Sequence, residues 1–143
     1  MALVKNYVGF DSMSAEGPTR PCVLVVEDDV ETQRFMSVLL GRRYDVLLAS
    51  SGNELRRQLE SEGSRVRLVL MDLSLKGGED GLELTRGLRL QERWKGLPIV
   101  AVTAHAFPSD RANALEAGCD AYVEKPIDNL RLLSLVERFV NRS

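Results

Sequence analysis

Four short apolar runs, separated by stretches of helical period, constrain this chain more than any other feature. They are Cys22-Val23-Leu24-Val25-Val26, residues 44–48, Leu68-Val69-Leu70-Met71 and Ile99-Val100-Ala101-Val102. Three of them are continuous rather than alternating, as strands covered on both faces are, while residues 44–48 carry Asp45 among their apolar residues. A fifth, shorter strand is read over residues 120–123, opening on Asp120. Strands that alternate with helices predict an α/β fold: a parallel sheet, right-handed crossovers, and helices on both faces.

The intervening segments carry helix signals. Residues 30–41 place Phe35, Met36, Leu39 and Leu40 on one apolar face, with Asp28 or Asp29 as cap and Gly41 as stop. A second helix over 51–61 opens on Ser51, with Glu54 at capping-box spacing. A third is predicted over 82–94 and a fourth over 109–117, ended by Gly118. Asp128 caps the last, whose stripe is Leu130, Leu133, Val136 and Val140. Residues 1–20 have no period, and Ser12, Ser14, Gly17 and Pro18 mark a tail or linker. Leu3, Val4, Tyr7, Val8 and Phe10 are apolar enough for that segment to dock or to form a short extra helix. One domain is expected over 21–143.

Composition excludes several classes. The 143 residues suit one domain, and 44% hydrophobic content supplies a core. A net charge of −2, with no basic block, argues against nucleic acid as partner. Cys22 and Cys119 are too few for a disulfide scaffold and read as buried thiols. No apolar stretch approaches the ~20 residues of a membrane span, and the N-terminus lacks a signal-peptide pattern. A soluble cytoplasmic protein is expected.

The run Arg67-Leu68-Val69-Leu70-Met71 ends abruptly in Asp72, which places that carboxylate at the carboxyl end of a central strand. Ligands bind at that edge of open α/β sheets. The same edge collects Glu27, Asp28, Thr103 and Lys125. Read alone, Glu27, Asp28 and Asp29 are first-turn acids favoured by a helix dipole. Three in a row, matched by Asp72 on another strand, point to a metal site instead. Mg²⁺ is the expected ion, because it takes oxygen ligands and needs only one or two carboxylates. Lys125 and Thr103 are ordinary residues in isolation. Together with a carboxylate nucleophile and a divalent cation, they are the parts needed to accept a phosphoryl group.

The strings Val23-Leu24-Val25-Val26-Glu27-Asp28-Asp29, Leu68-Val69-Leu70-Met71-Asp72, Ala101-Val102-Thr103-Ala104 and Tyr122-Val123-Glu124-Lys125-Pro126-Ile127 resemble the receiver domain of two-component response regulators. The likeness covers residues 21–141. It implies the flavodoxin-like receiver fold, a five-stranded parallel sheet in order 2-1-3-4-5, as in the family's chemotaxis regulator. It implies that Asp72 is the phosphoacceptor, that Asp28 binds Mg²⁺ directly, that Glu27 acts through water, and that the backbone carbonyl of Ser74 is the third protein ligand. Thr103 and Lys125 would hold the phosphoryl oxygens. Tyr122 would be the aromatic switch that turns inward as Thr103 is drawn to the phosphate. The Lys125–Pro126 bond would be cis. Output would pass through the face of helix 4, strand 5 and helix 5, roughly residues 107–141. The implied partners are a histidine kinase or phosphohistidine phosphotransfer protein, and a downstream output protein or domain.

The sequence departs from the family pattern in places. Glu27 stands where Asp is commoner. Lys76 replaces a proline that usually follows the acceptor by four residues, and the loop to Gly81 is one residue longer, with Gly77 and Gly78. That departure bears on the loop's conformation and on recognition through helix 3. His105 and Ser74 occupy positions that tune phosphoryl lifetime in the family, although a plain loop histidine is the simpler reading of His105. As the single histidine, it leaves no separate phosphohistidine donor domain.

The leading expectation is a phosphoryl-accepting switch rather than an enzyme, either a stand-alone regulator or the receiver of a hybrid kinase. One alternative is a receiver fold used only for docking, without phosphorylation. The other is an aspartate-nucleophile phosphatase of the haloacid-dehalogenase type, which needs a second acid where Ser74 stands. Arg131, Arg138 and Arg142 on the last helix read as a solvated face, with a homodimer face as the alternative.

Overall fold

In the computed structural model, residues 20–104 and 107–142 are described. Most of the expected N-terminal tail (1–19), together with His105, lies outside them. Five strands, β1 (Cys22–Val26), β2 (Asp45–Ala49), β3 (Val66–Asp72), β4 (Ile99–Thr103) and β5 (Ala121–Glu124), alternate with five helices. The helices are α1 (Val30–Leu40), α2 (Gly52–Glu62), α3 (Gly81–Arg89), α4 (Pro108–Ala117) and α5 (Asn129–Val140). All four strand pairs are parallel, in the order β2-β1-β3-β4-β5. The α/β reading and the implied strand order both hold. The Lys125–Pro126 peptide is cis.

Each central strand divides its side chains between two cores, as a two-residue period requires. From β3, Leu68 and Leu70 join Met36 and Leu40 of α1 and Leu132, Val136 and Phe139 of α5. Val69 and Met71 join Leu55 and Leu59 of α2, Leu88 of α3 and Ala114 of α4. Leu68, Leu70 and Met71 are each 1% exposed or less. Full burial of such side chains contributes roughly 1.5–3 kcal/mol apiece. This double coverage explains why the runs are continuous. Cys22 and Cys119 are buried free thiols, and burial pushes the Cys22 thiol up to about 11. Among the described residues, no helix is long and apolar enough to cross a membrane.

Three sequence expectations need correction. Phe35 does not join the buried face of α1. It is 38% exposed and lines a groove with Pro126 and Ile127, while Met36 and Leu40 are buried. In α5 the buried stripe is Leu132, Val136, Phe139 and Val140, and Leu130 is 79% exposed. Helical spacing fits several overlapping stripes, and the sheet beneath selects one. Finally, α3 stops at Arg89, with a separate 3-10 turn at Glu92–Trp94.

Arg89 accounts for that early stop. Its guanidinium donates to the carbonyls of Gly118 at 2.9 Å, Trp94 at 2.8 Å and Leu97 at 2.7 Å, and pairs with Asp120 at 3.1 Å. The chain after α3 wraps around this one group instead of continuing as helix. Asp120 in turn accepts from the Ile99 N–H at 2.9 Å, which ties the amino ends of β4 and β5 to the same cluster. Arg89→Ala would strip the donors from three carbonyls. It is expected to cost about 2–4 kcal/mol in urea unfolding followed by tryptophan fluorescence. A loss below about 0.5 kcal/mol would show that water replaces the guanidinium without penalty.

Candidate functional site

The three consecutive acids after β1 divide their work. Asp29 is the cap of α1, and its carboxylate accepts from the Thr32 N–H at 2.9 Å and the Thr32 hydroxyl at 2.7 Å. Glu27 turns inward and is 3% exposed. Its Oε2 accepts from the Asp29 N–H at 2.9 Å, and its own N–H donates to the Ala49 carbonyl at the end of β2. Asp28, half-buried, lies between them. One ligand oxygen from each of Glu27, Asp28 and Asp72 falls within 4.8 Å of the others.

Asp72 is the last residue of β3, opposite Val102 of β4, and is 5% exposed. The Ser74 N–H donates to its Oδ1 at 3.0 Å. Lys125, just past β5, reaches across the edge. Its Nζ lies 2.9 Å from Glu27 Oε1 and 3.4 Å from Asp72 Oδ2. Thr103 ends β4, is fully buried, and accepts the Lys125 backbone N–H at its carbonyl at 2.7 Å. Glu27, Asp28, Asp72 and Lys125 are therefore in one cluster, with Thr103 fastened to the strand end beside it.

Burial and charge act against each other in the cluster. Burial pushes the Glu27 carboxyl above its ordinary range, against the Asp29 N–H and Lys125, and the Asp72 charge adds to the push. Burial alone would lower the Lys125 ammonium, but the hydrogen bond to Glu27 and the Asp72 charge outweigh it and hold it above its ordinary value. Lys125 thus serves Glu27 and Asp72, with the Asp28 carboxylate beside them. A hard divalent cation with oxygen ligands fits this donor set.

Tyr122 on β5 is 7% exposed and belongs to the core cluster with Ala101 and Ala114. Its hydroxyl has no hydrogen-bond partner among the described residues. Ser74 is exposed and pairs with Asp80 in an isolated antiparallel bridge. Sequence reasoning missed Gln33, whose side-chain amide donates to the Glu27 carbonyl at 2.5 Å. Nothing in its local pattern separates it from any polar residue on α1.

The family model of the response regulator receiver domain matches residues 23–137. The chain belongs to that family. This receiver domain is 36% identical to the transcriptional regulatory protein AruR of Pseudomonas aeruginosa over 126 residues, covering 85% of this chain and 50% of AruR. It is 37% identical to hybrid signal transduction histidine kinase I of Dictyostelium discoideum over 120 residues, covering 80% of this chain and 7% of the kinase. Among solved structures, it resembles the receiver domain of sensor histidine kinase PA1611 from Pseudomonas aeruginosa PAO1, which has a magnesium ion coordinated in its active site cleft. The TM-score there is 0.75 at 33% identity, over 86% of this chain and 98% of that one. The receiver domain thus spans half the length of AruR and a small part of the hybrid kinase.

The lysine contact carries a stability prediction. Lys125→Met leaves Glu27 and Asp72 buried without their cation. It is expected to cost the receiver domain about 3 kcal/mol of unfolding free energy in EDTA, as removal of one partner from a buried ion pair does. Added Mg²⁺ should return part of that loss. Equal stability of variant and wild type in EDTA would show that Lys125 is not the counter-ion.

Proposed function

We propose that this receiver domain accepts a phosphoryl group on Asp72 in the presence of Mg²⁺ and signals by a change in its α4–β5–α5 face. The observation that carries the reading is the buried Asp72 carboxylate, held in one cluster with Glu27, Asp28 and Lys125. The donor is a phosphohistidine of a histidine kinase or phosphotransfer protein. An Asp72 carboxylate oxygen forms the new bond to phosphorus and the phosphorus–nitrogen bond breaks. The leaving imidazole nitrogen keeps the electron pair and takes a proton.

Asp72, Asp28 and the Ser74 carbonyl would hold Mg²⁺ directly, with Glu27 acting through water. When bound, the ion supplies positive charge against the oxygens of the transferring group. Lys125 is already charged and already at the carboxylate it must serve. Its longer contact, 3.4 Å to Asp72, is the one that a phosphoryl oxygen would replace, while the 2.9 Å bond to Glu27 keeps the side chain in place. Thr103 donates its hydroxyl to a second phosphoryl oxygen, and Tyr122 reads the resulting shift.

The two conformations need differ by only a few kcal/mol for a partner to select one. The receiver domain fills residues 21–143, with 1–20 as tail or linker. It works in the cytoplasm, either alone or as part of a larger regulator or hybrid kinase.

Incubation with acetyl phosphate and Mg²⁺, followed by intact-mass analysis, tests this directly. One phosphoryl adduct is expected, abolished by EDTA and by Asp72→Ala. Full labelling of the Asp72→Ala chain would remove Asp72 from the role. No adduct on the wild type would leave the fold without the chemistry.

A further inference from the structure

The loop between β3 and α3 departs from the family pattern, and the structure shows what holds it. At its base, the Gly81 N–H donates to the Leu73 carbonyl at 3.1 Å, and Ser74 pairs with Asp80. Asp80 caps α3 through the Leu82 N–H at 2.8 Å. Gly81 is required there, because a Cβ would lie 2.4 Å from the Asp72 carbonyl oxygen. These contacts tie the loop only to the elements that flank it in sequence.

Beside the apolar anchoring of Leu75 in the core, Glu79 adds a polar tie from this loop to a distant element. Its Oε1 accepts from the Gly52 N–H at 2.9 Å, across 27 residues. Gly52 is the first residue of α2, so the carboxylate also sits where the helix dipole favours a negative charge. The fit is close: a Cβ on Gly52 would lie 2.6 Å from Glu79 Oε2 and 2.8 Å from Leu84 Cδ2. Glu79 is the immediate neighbour of Asp80, which pairs with Ser74. The Gly81–Leu73 hydrogen bond that forms this bridge sets Asp80 opposite Ser74, so a restraint on Glu79 acts next to the backbone that faces Ser74.

We propose that Glu79 is a positioning residue for the cation site, pinning the loop to α2 in the conformation that would let the Ser74 carbonyl serve as a ligand. The inference rests on the reading of Ser74 as a ligand. Glu79 itself is not a ligand. It acts as outer-shell partners do, by removing the loop's alternative conformations.

The test is Mg²⁺ titration calorimetry on the full chain, with backbone amide exchange in EDTA as a readout independent of metal. Glu79→Ala is expected to weaken Mg²⁺ binding about tenfold, the lower end of the effect of losing an outer-shell partner. It should also expose the Gly52 amide to exchange. Glu79→Gln keeps an oxygen acceptor without the charge, and should retain both Gly52 protection and affinity to within about threefold. Gly52→Ala, which breaks the same contact from the α2 side, should resemble Glu79→Ala. Glu83→Ala removes an equal charge from an exposed ion pair with Arg86 and should change neither.

Wild-type affinity in Glu79→Ala would overturn the proposal. So would Glu79→Gln as weak as Glu79→Ala, since charge alone would then be sufficient. If the wild-type chain takes up no Mg²⁺, the cation site itself falls and this inference with it.

Discussion

Lys125 bridges Glu27 and Asp72 at the carboxyl edge of the sheet, and the arrangement of that edge depends on this ammonium. Two buried carboxylates with a third beside them repel unless something positive stands between them. A lysine from the far strand does so from sequence positions 98 and 53 residues away. It also links β1, β3 and β5 through one side chain. Burial pushes the Glu27 carboxyl upward, while the hydrogen bond to Glu27 and the Asp72 charge hold Lys125 charged. Such a cluster is poor as a stabilising device but well suited to binding a divalent cation or accepting an anion.

The rest of the fold serves to hold that edge still. β3 is buried on both faces, so its last residue cannot drift without disturbing two cores at once. The backbone adds its own ties there. Glu27 is fixed to Ala49 and Lys125 to Thr103, each by a main-chain bond beyond its strand. Side chains that carry the charge thus hang from backbone that is already paired.

Much of this was legible in the sequence. Continuous apolar runs have one structural solution, so the strands fall within a residue or two of the positions read from them. Ser51 and Asp128 cap α2 and α5 as their positions imply. Yet Glu54, at capping-box spacing from Ser51, accepts from the N–H and hydroxyl of Ser50 instead. The spacing marks the helix start but does not choose the donor. Likewise Asp28 and Asp29 were equally good caps on paper, and Thr32 decides for Asp29. Phe35, Leu130 and the end of α3 were not legible, because each is decided by a partner remote in sequence. Glu79 belongs with them: a glutamate in a glycine loop carries no mark of the helix it will meet 27 residues earlier.

The two edges of the sheet have opposite characters. At the amino edge, one half-buried cation, Arg89, satisfies three carbonyls and a carboxylate. At the carboxyl edge, three carboxylates converge within 4.8 Å, and one ammonium serves two of them. Stability is therefore concentrated where nothing needs to move. The converging carboxylates lie where, on the proposed reading, a cation and a phosphoryl group arrive.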